Sequence, residues 1–268
     1  MPLLDGAAPF RAPGAADAPG VLLCHGFTGT PQSMRAWGEH LAAQSFAVSC
    51  PRLPGHGTTW QEMNRTRWSD WYATLERELL VLARREQPVF VFGLSMGGTL
   101  ALRLAQQHPE TAGLVLVNPS LRTDRRDAPL LPVLSRLLGS LPGVVGDIAK
   151  PGVVEVGYDR MPLRAAASLQ QLWALVRADL CTVGAPLLLF RSATDHVVES
   201  SSGQVLLEGV GSADVTEVVL QRSYHVATLD HDAPAIFAGS VAFVHRVLQG
   251  SAASGASNVG HHSARGQT

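Results

Sequence analysis

Charge is scarce in this chain. Charged residues fill 16% of 268 positions and nearly cancel, leaving a formal net charge of −1. That balance offers no electrostatic footprint for nucleic acid. Cysteine is scarcer still. Cys24, Cys50 and Cys181 are odd in number and widely spaced, so neither a disulfide framework nor a metal-type pairing is expected, and a reducing, cytoplasmic setting is favoured. No run of about 18 apolar residues occurs, which predicts no membrane-spanning helix. The opening segment, residues 1–20, lacks a basic start and a continuous apolar stretch, so no secretory signal is expected.

What the chain does have is apolar residues, 46% of the total, enough for one substantial core. Short apolar runs at 21–25, 46–50, 88–94, 113–118, 186–191 and 215–221 alternate with longer segments of helical spacing at 31–44, 68–86 and 96–108. Several runs are apolar throughout, as in strands covered on both faces. The alternation predicts an α/β fold, a mostly parallel sheet with helices on both faces, forming one domain over 1–249. Residues 250–268 are small, polar and glycine-rich and read as a disordered tail, with His261 and His262 as a solvated pair. The alternation stops between Pro119 and Leu180, a gap several times longer than an ordinary connection. Amphipathic helices are expected there at 130–145 and 162–180, as a lid or small cap. The plainer alternative is that they extend the core.

The stretch FVFGLSMGGTL, Phe90 to Leu100, sets Ser95 between Gly93 and Gly97, at the end of a buried strand and the start of a helix. A turn this sharp strains the residue at its apex, and neighbours without side chains relieve the crowding. The hydroxyl is thereby lifted to the carboxyl edge of the sheet, at a helix N-terminus whose dipole favours negative charge. A serine needs a base, and the base needs an orienting carboxylate. In the order expected for such an elbow, Asp195 follows one buried strand and His225 follows the next. His196 and His231 compete for the base, and Glu199 and Asp230 for the acid. Asp230 comes after His225, the wrong order, and His231 falls in the run towards the last helix. An oxyanion hole is expected from the backbone amides of Phe27, in LLCHGFTGTP, and Met96, next to the nucleophile. His25 and Gly26 are expected to shape that loop.

Taken in order, HGFTGTP, PRLPGHG, GLSMGG, SATDHVV and SYHVATLD resemble the α/β-hydrolase superfamily, and more narrowly its bacterial monoacylglycerol lipases and related carboxylesterases. The likeness spans about Gly20 to Leu248 and includes the segment 147–172, similar to that family's short helical cap. It implies a cap inserted after the sixth strand, Ser95, Asp195 and His225 as triad, and no metal or organic cofactor. It further implies Ile148 and Asp159 as lining of the alcohol pocket, although the family commonly carries glutamate where Asp159 stands. The expected substrate is a monoacylglycerol or another small ester. A transient contact with a lipid surface is expected through the cap, and no stable protein partner.

Overall fold

The computed structural model describes residues 2–259, with side chains to residue 250. Strand β1 (Phe10–Ala12) precedes β2 (Gly20–Cys24), α1 (Gln32–Ala43) and β3 (Ala47–Cys50). Then come α2 (Trp60–Met63), α3 (Trp68–Ala83), β4 (Val89–Leu94), α4 (Met96–Gln107) and β5 (Gly113–Val117). The insertion holds α5 (Leu131–Leu137), β6 (Ser140–Pro142), β7 (Arg160–Pro162) and α6 (Leu163–Ala178). The chain closes with β8 (Leu187–Ser192), α7 (Ser201–Gly209), β9 (Val215–Leu220) and α8 (Ala233–Val259). The expected tail thus begins inside α8, and its part from 260 onward, with His261 and His262, lies outside the described residues.

Seven strands form the main sheet in the order β1-β3-β2-β4-β5-β8-β9, antiparallel at β1 and parallel elsewhere. Side chains of a strand point alternately to its two faces. Leu22, Val91, Leu114 and Leu189 accordingly join a core under α3, α4 and α6. Val21, Phe92, Val115 and Phe190 join a second core under α1 and α8. Two covered faces explain why these runs are apolar without alternation. Trp71 and Leu75 of α3 and Trp37 and Leu41 of α1 are fully buried against them, each worth about 1.5–3 kcal/mol on burial.

Two expectations change. The insertion follows the fifth strand in chain order rather than the sixth. The chain forms a single short strand, β1, ahead of β2, so the last strand before the insertion is β5. The segment 130–145 is helical only to Leu137; Leu138 is extended, and Gly139 leads into β6, which pairs with β7. In contrast, α6 packs Leu169, Leu172 and Val176 into the main core, so this helix does extend the core, joined there by Leu121 and Tyr158, while the leucines of α5 stand outside it.

Candidate active site

The strand-to-helix turn after β4 is a backbone contact before it is anything chemical. A Cβ placed on Gly97 would lie 2.0 Å from the Cys24 carbonyl oxygen, and one on Gly93 would lie 2.3 Å from that of Gly97. Only glycine fits either position. At the apex Ser95 holds φ 55° and ψ −119°, a region that costs a non-glycine residue about 1–3 kcal/mol. The surroundings hold it there. The Ser95 amide donates to the Val117 carbonyl (2.9 Å), and the Ser120 and Gly98 amides donate to the Ser95 carbonyl (3.3 and 2.9 Å).

Beside it runs the loop after β2. A Cβ built on Gly26 would lie 3.5 Å from Ser95 Cβ. Half-buried Phe27 packs its ring edge-on to Trp71, with centroids 6.0 Å apart. Met96 opens α4, where a helix leaves its first amides without intrahelical acceptors. Neither the Phe27 nor the Met96 amide donates a hydrogen bond among the described residues. The loop is pinned from behind by His25, whose Nδ1–H donates to the Gly26 carbonyl (3.0 Å) and whose Nε2 accepts from the Leu53 amide (3.2 Å). Burial pulls His25 down to about 4, against the Gly26 hydrogen bond, so this ring stays neutral.

Asp195 and His225 lie beyond the ends of β8 and β9, and the structure brings them together. His225 Nδ1 donates to Asp195 Oδ2 at 2.8 Å, with both side chains buried. Asp195 Oδ1 accepts from the Val197 and Val198 amides, each at 2.8 Å. The hydrogen on Nδ1 leaves Nε2 as the basic nitrogen. Burial opposes charge on His225, yet the Asp195 hydrogen bond and charge, with Glu155 and Asp147 further off, hold it above the usual histidine value. The same pairing, with the two amides, keeps Asp195 below the usual carboxylate value despite burial.

The competitors are engaged elsewhere. Glu199 accepts from the Thr123 hydroxyl, Asp230 accepts four backbone amides, and His196 pairs with Asp147. Half-buried Ile148 packs beside the second core. Asp159 is not brought to the site. Tyr158 turns inward, its hydroxyl on the Gly55 carbonyl and Thr58 amide, while Asp159 sits at a bend and is exposed. The carboxylate that does face the site is Glu155. Its Oε2 accepts from the Gly146 amide (3.1 Å), and a Cβ on Gly29 would lie 2.9 Å from its Oε1. Burial raises its pKa, offset in part by that amide and by His225.

Sequence reasoning also missed Asn118, at the end of β5 with φ 44°. Its Nδ2 donates to the His225 carbonyl (2.8 Å) and its Oδ1 accepts from the Ser192 amide (2.8 Å). A polar residue closing an otherwise apolar strand was the available signal. Among the described residues no group of three His, Cys, Asp or Glu side chains is placed to hold a metal ion, and no helix is long and apolar enough to cross a membrane.

A mostly parallel sheet with a strained serine at the elbow after a central strand defines the α/β-hydrolase class. Residues 17–146 match the family model described as serine aminopeptidase, S33. The chain is 41% identical over 246 residues to a thermostable monoacylglycerol lipase of Bacillus sp. (strain H-257), covering 90% of this chain and 96% of that one. It is 25% identical to a carboxylesterase of Bacillus subtilis (strain 168), over 79% of this chain and 86% of that one. Among solved structures, one from the metagenome-derived lipolytic enzymes LipS and LipT superposes with a TM-score of 0.88 at 39% identity, covering 91% of this chain and 100% of that one. The monoacylglycerol lipase of Paleococcus ferrophilus shares the fold, with a TM-score of 0.73 at 20% identity over 89% of this chain and 99% of that one. The chain belongs to the α/β-hydrolase superfamily and, within it, to the family of the Bacillus lipase. It is a carboxylic ester hydrolase.

The elbow's packing is directly testable. Gly97→Ala forces a methyl group onto the Cys24 carbonyl and should cost about 3 kcal/mol or more, read as a lowered chemical-denaturation midpoint. A midpoint equal to the parent's would contradict the contact.

Proposed function

We propose that the protein cleaves monoacylglycerols to glycerol and fatty acid through Ser95, His225 and Asp195. Ser95 Oγ attacks the ester carbonyl carbon while its proton passes to His225 Nε2. The amides of Phe27 and Met96 donate to the oxyanion of the tetrahedral intermediate. Collapse breaks the bond to the alcohol oxygen, and glycerol leaves with the proton held by His225. Water then attacks the acyl-enzyme, passes its proton to the same nitrogen, and releases the fatty acid as Ser95 is reprotonated. Asp195 keeps the hydrogen on Nδ1 and stabilises the imidazolium.

The observation that carries the glycerol reading is Glu155, a half-buried carboxylate with one hydrogen bond among the described residues, between the Phe27 loop and His225. A site that bonds hydroxyl groups rejects analogues lacking them far better than an apolar slot does. Glu155 is suited to accept from a free hydroxyl of the leaving glycerol, a role that exposed Asp159 is not suited to. The 41% identity to a monoacylglycerol lipase supports the same reading.

The outer insertion suggests how such a substrate arrives. Leu137 is 77% exposed and Val154 74%, and Leu130, Val133, Leu138 and Val144 are exposed as well. Apolar groups in that number call for a partner, and we assign this face to the surface of a lipid aggregate.

Three experiments test these statements. Ser95→Ala should lower turnover about 10⁴- to 10⁶-fold with the fold intact and abolish labelling by a serine-directed phosphonate; near-parent activity removes Ser95 as nucleophile. Glu155→Ala should lower kcat/KM for a monoacylglycerol about tenfold or more while sparing the ethyl ester of the same acid. Equal losses on both would favour a general carboxylesterase. Replacing Leu137 and Leu138 with serine should weaken co-sedimentation with phospholipid vesicles. Unchanged vesicle binding, with activity lost on soluble esters, would instead make these residues the roof of the acyl pocket.

A further inference from the structure

Asp195 and His225 stand past the ends of their strands, where the sheet's ladder no longer fixes them. Something else must set their spacing, and much of it comes from the insertion. Asp147 Oδ2 accepts from the amide of His225 (3.1 Å) and from the amide of His196 (3.1 Å), the residue next to Asp195. Asp147 Oδ1 faces His196 Nδ1 at 2.8 Å. Its backbone carbonyl accepts from the Val226 amide (3.1 Å). One nearly buried carboxylate therefore gathers the backbones of both loops of the acid–base pair, from 49 positions away on one side and 78 on the other.

The reciprocal staple strengthens the case. Asp230, on the His225 side, accepts from the Ala149 and Lys150 amides of the insertion at 2.7 and 2.9 Å, and from the Tyr224 amide at 2.9 Å. Two carboxylates thus cross between the same two segments in opposite directions. Of the two, Asp230 touches only the His225 side, whereas Asp147 reaches both loops.

We propose that Asp147 is a positioning residue through which the insertion sets the alignment of Asp195 and His225. The proposal rests on the triad reading above, since alignment of that pair matters only if His225 is the base. Asp147 also adds negative charge near the imidazole. The charged groups facing His225 are Asp195, Glu155 and Asp147, and all three favour the protonated ring. Hydrolysis needs His225 neutral, so kcat/KM falls as pH drops through its pKa. Removing one of the three charges moves that acidic limb to lower pH.

Two substitutions separate geometry from charge. Asp147→Asn keeps an oxygen able to accept both amides and loses the charge, with His196 changing tautomer to face the new NH₂. It should keep kcat near the parent's and shift the acidic limb of kcat/KM to lower pH. Asp147→Ala removes both and should lower kcat about ten- to a hundredfold, the scale of a small misplacement, with KM little changed. His196→Ala keeps the backbone amide and should leave kcat within about twofold of the parent, since the clamp is made by backbone. An unmoved acidic limb in Asp147→Asn, or parent kcat in Asp147→Ala, overturns the proposal; should the alanine variant fail to fold, the asparagine profile decides alone. Stoichiometric phosphonate labelling separates this from failure of the triad itself. Both Asp147 variants should label fully, the alanine variant slowly, and Ser95→Ala should not label; labelling of Ser95→Ala would sink the triad whatever Asp147 does.

Discussion

At Gly97 the first turn of α4 lies on the carbonyl of Cys24 with no room for a methyl group. That contact sets how closely helix and strand approach, and the approach sets the angle of the turn between them. Ser95 takes φ 55° because a relaxed residue would carry α4 away from β2. The strain is held by bonds from Val117 and Ser120, the first at the end of β5 and the second three residues on. The elbow is therefore braced by the neighbouring strand, and its hydroxyl stands at the carboxyl edge where the loops after β2, β8 and β9 converge. In an open α/β sheet that edge is where ligands bind.

The local part of this was legible in the sequence. Six strands and three helices fell within about three residues of their positions, because runs such as 89–94 and 113–117 are apolar on both faces and helix starts carry their own signals. The serine was legible because the glycine spacing is a property of one turn. Asp195 and His225 were legible because chain order and strand ends placed them at the same edge. What failed depended on distant packing. β1 is three residues long in a Pro- and Gly-rich segment and exists only because Phe10, Arg11 and Ala12 pair with β3. Asp159 and Glu155 are four residues apart, and bends at Gly157 and Asp159 break any strand-like alternation between them. Distant contacts fix the two ends: Tyr158 on Gly55 and Thr58, a hundred residues away, and Glu155 against Gly29.

The two histidines of the site are tuned in opposite directions by the same low-dielectric surroundings. Burial, aided by the charge of Arg52 and opposed by the Gly26 hydrogen bond, brings His25 to about 4. His56, edge-on to it at 5.0 Å, is lowered for the same reason and by His25 itself. His225 is equally enclosed but has carboxylates around it, and they win over burial. The loop of Phe27 therefore keeps one hydrogen-bonding state through the range in which His225 titrates. The two rings respond to pH separately because His225 has counter-charges around it, whereas His25 has carbonyls, amides and the positive charge of Arg52.

The insertion is tied down on both flanks, which constrains how the site opens. On the Phe27 side, Gln32 bonds the Val154 carbonyl and Val156 amide, and the Tyr158 amide bonds the Thr28 carbonyl. On the His225 side, Asp147 and Asp230 make the staples, each hydrogen bond to a charged group worth about 1.5–3 kcal/mol. Lifting residues 147–158 would break both sets and free the backbone of His225. The outer helix is held differently. Ties here include Gln170 on the Ala128 carbonyl and Arg164 on the Ser135 carbonyl, with the Leu163 amide and Asn64 both on the Gly139 carbonyl just past α5. The inner arm is therefore fixed from two flanks, whereas α5 is fixed chiefly to α6.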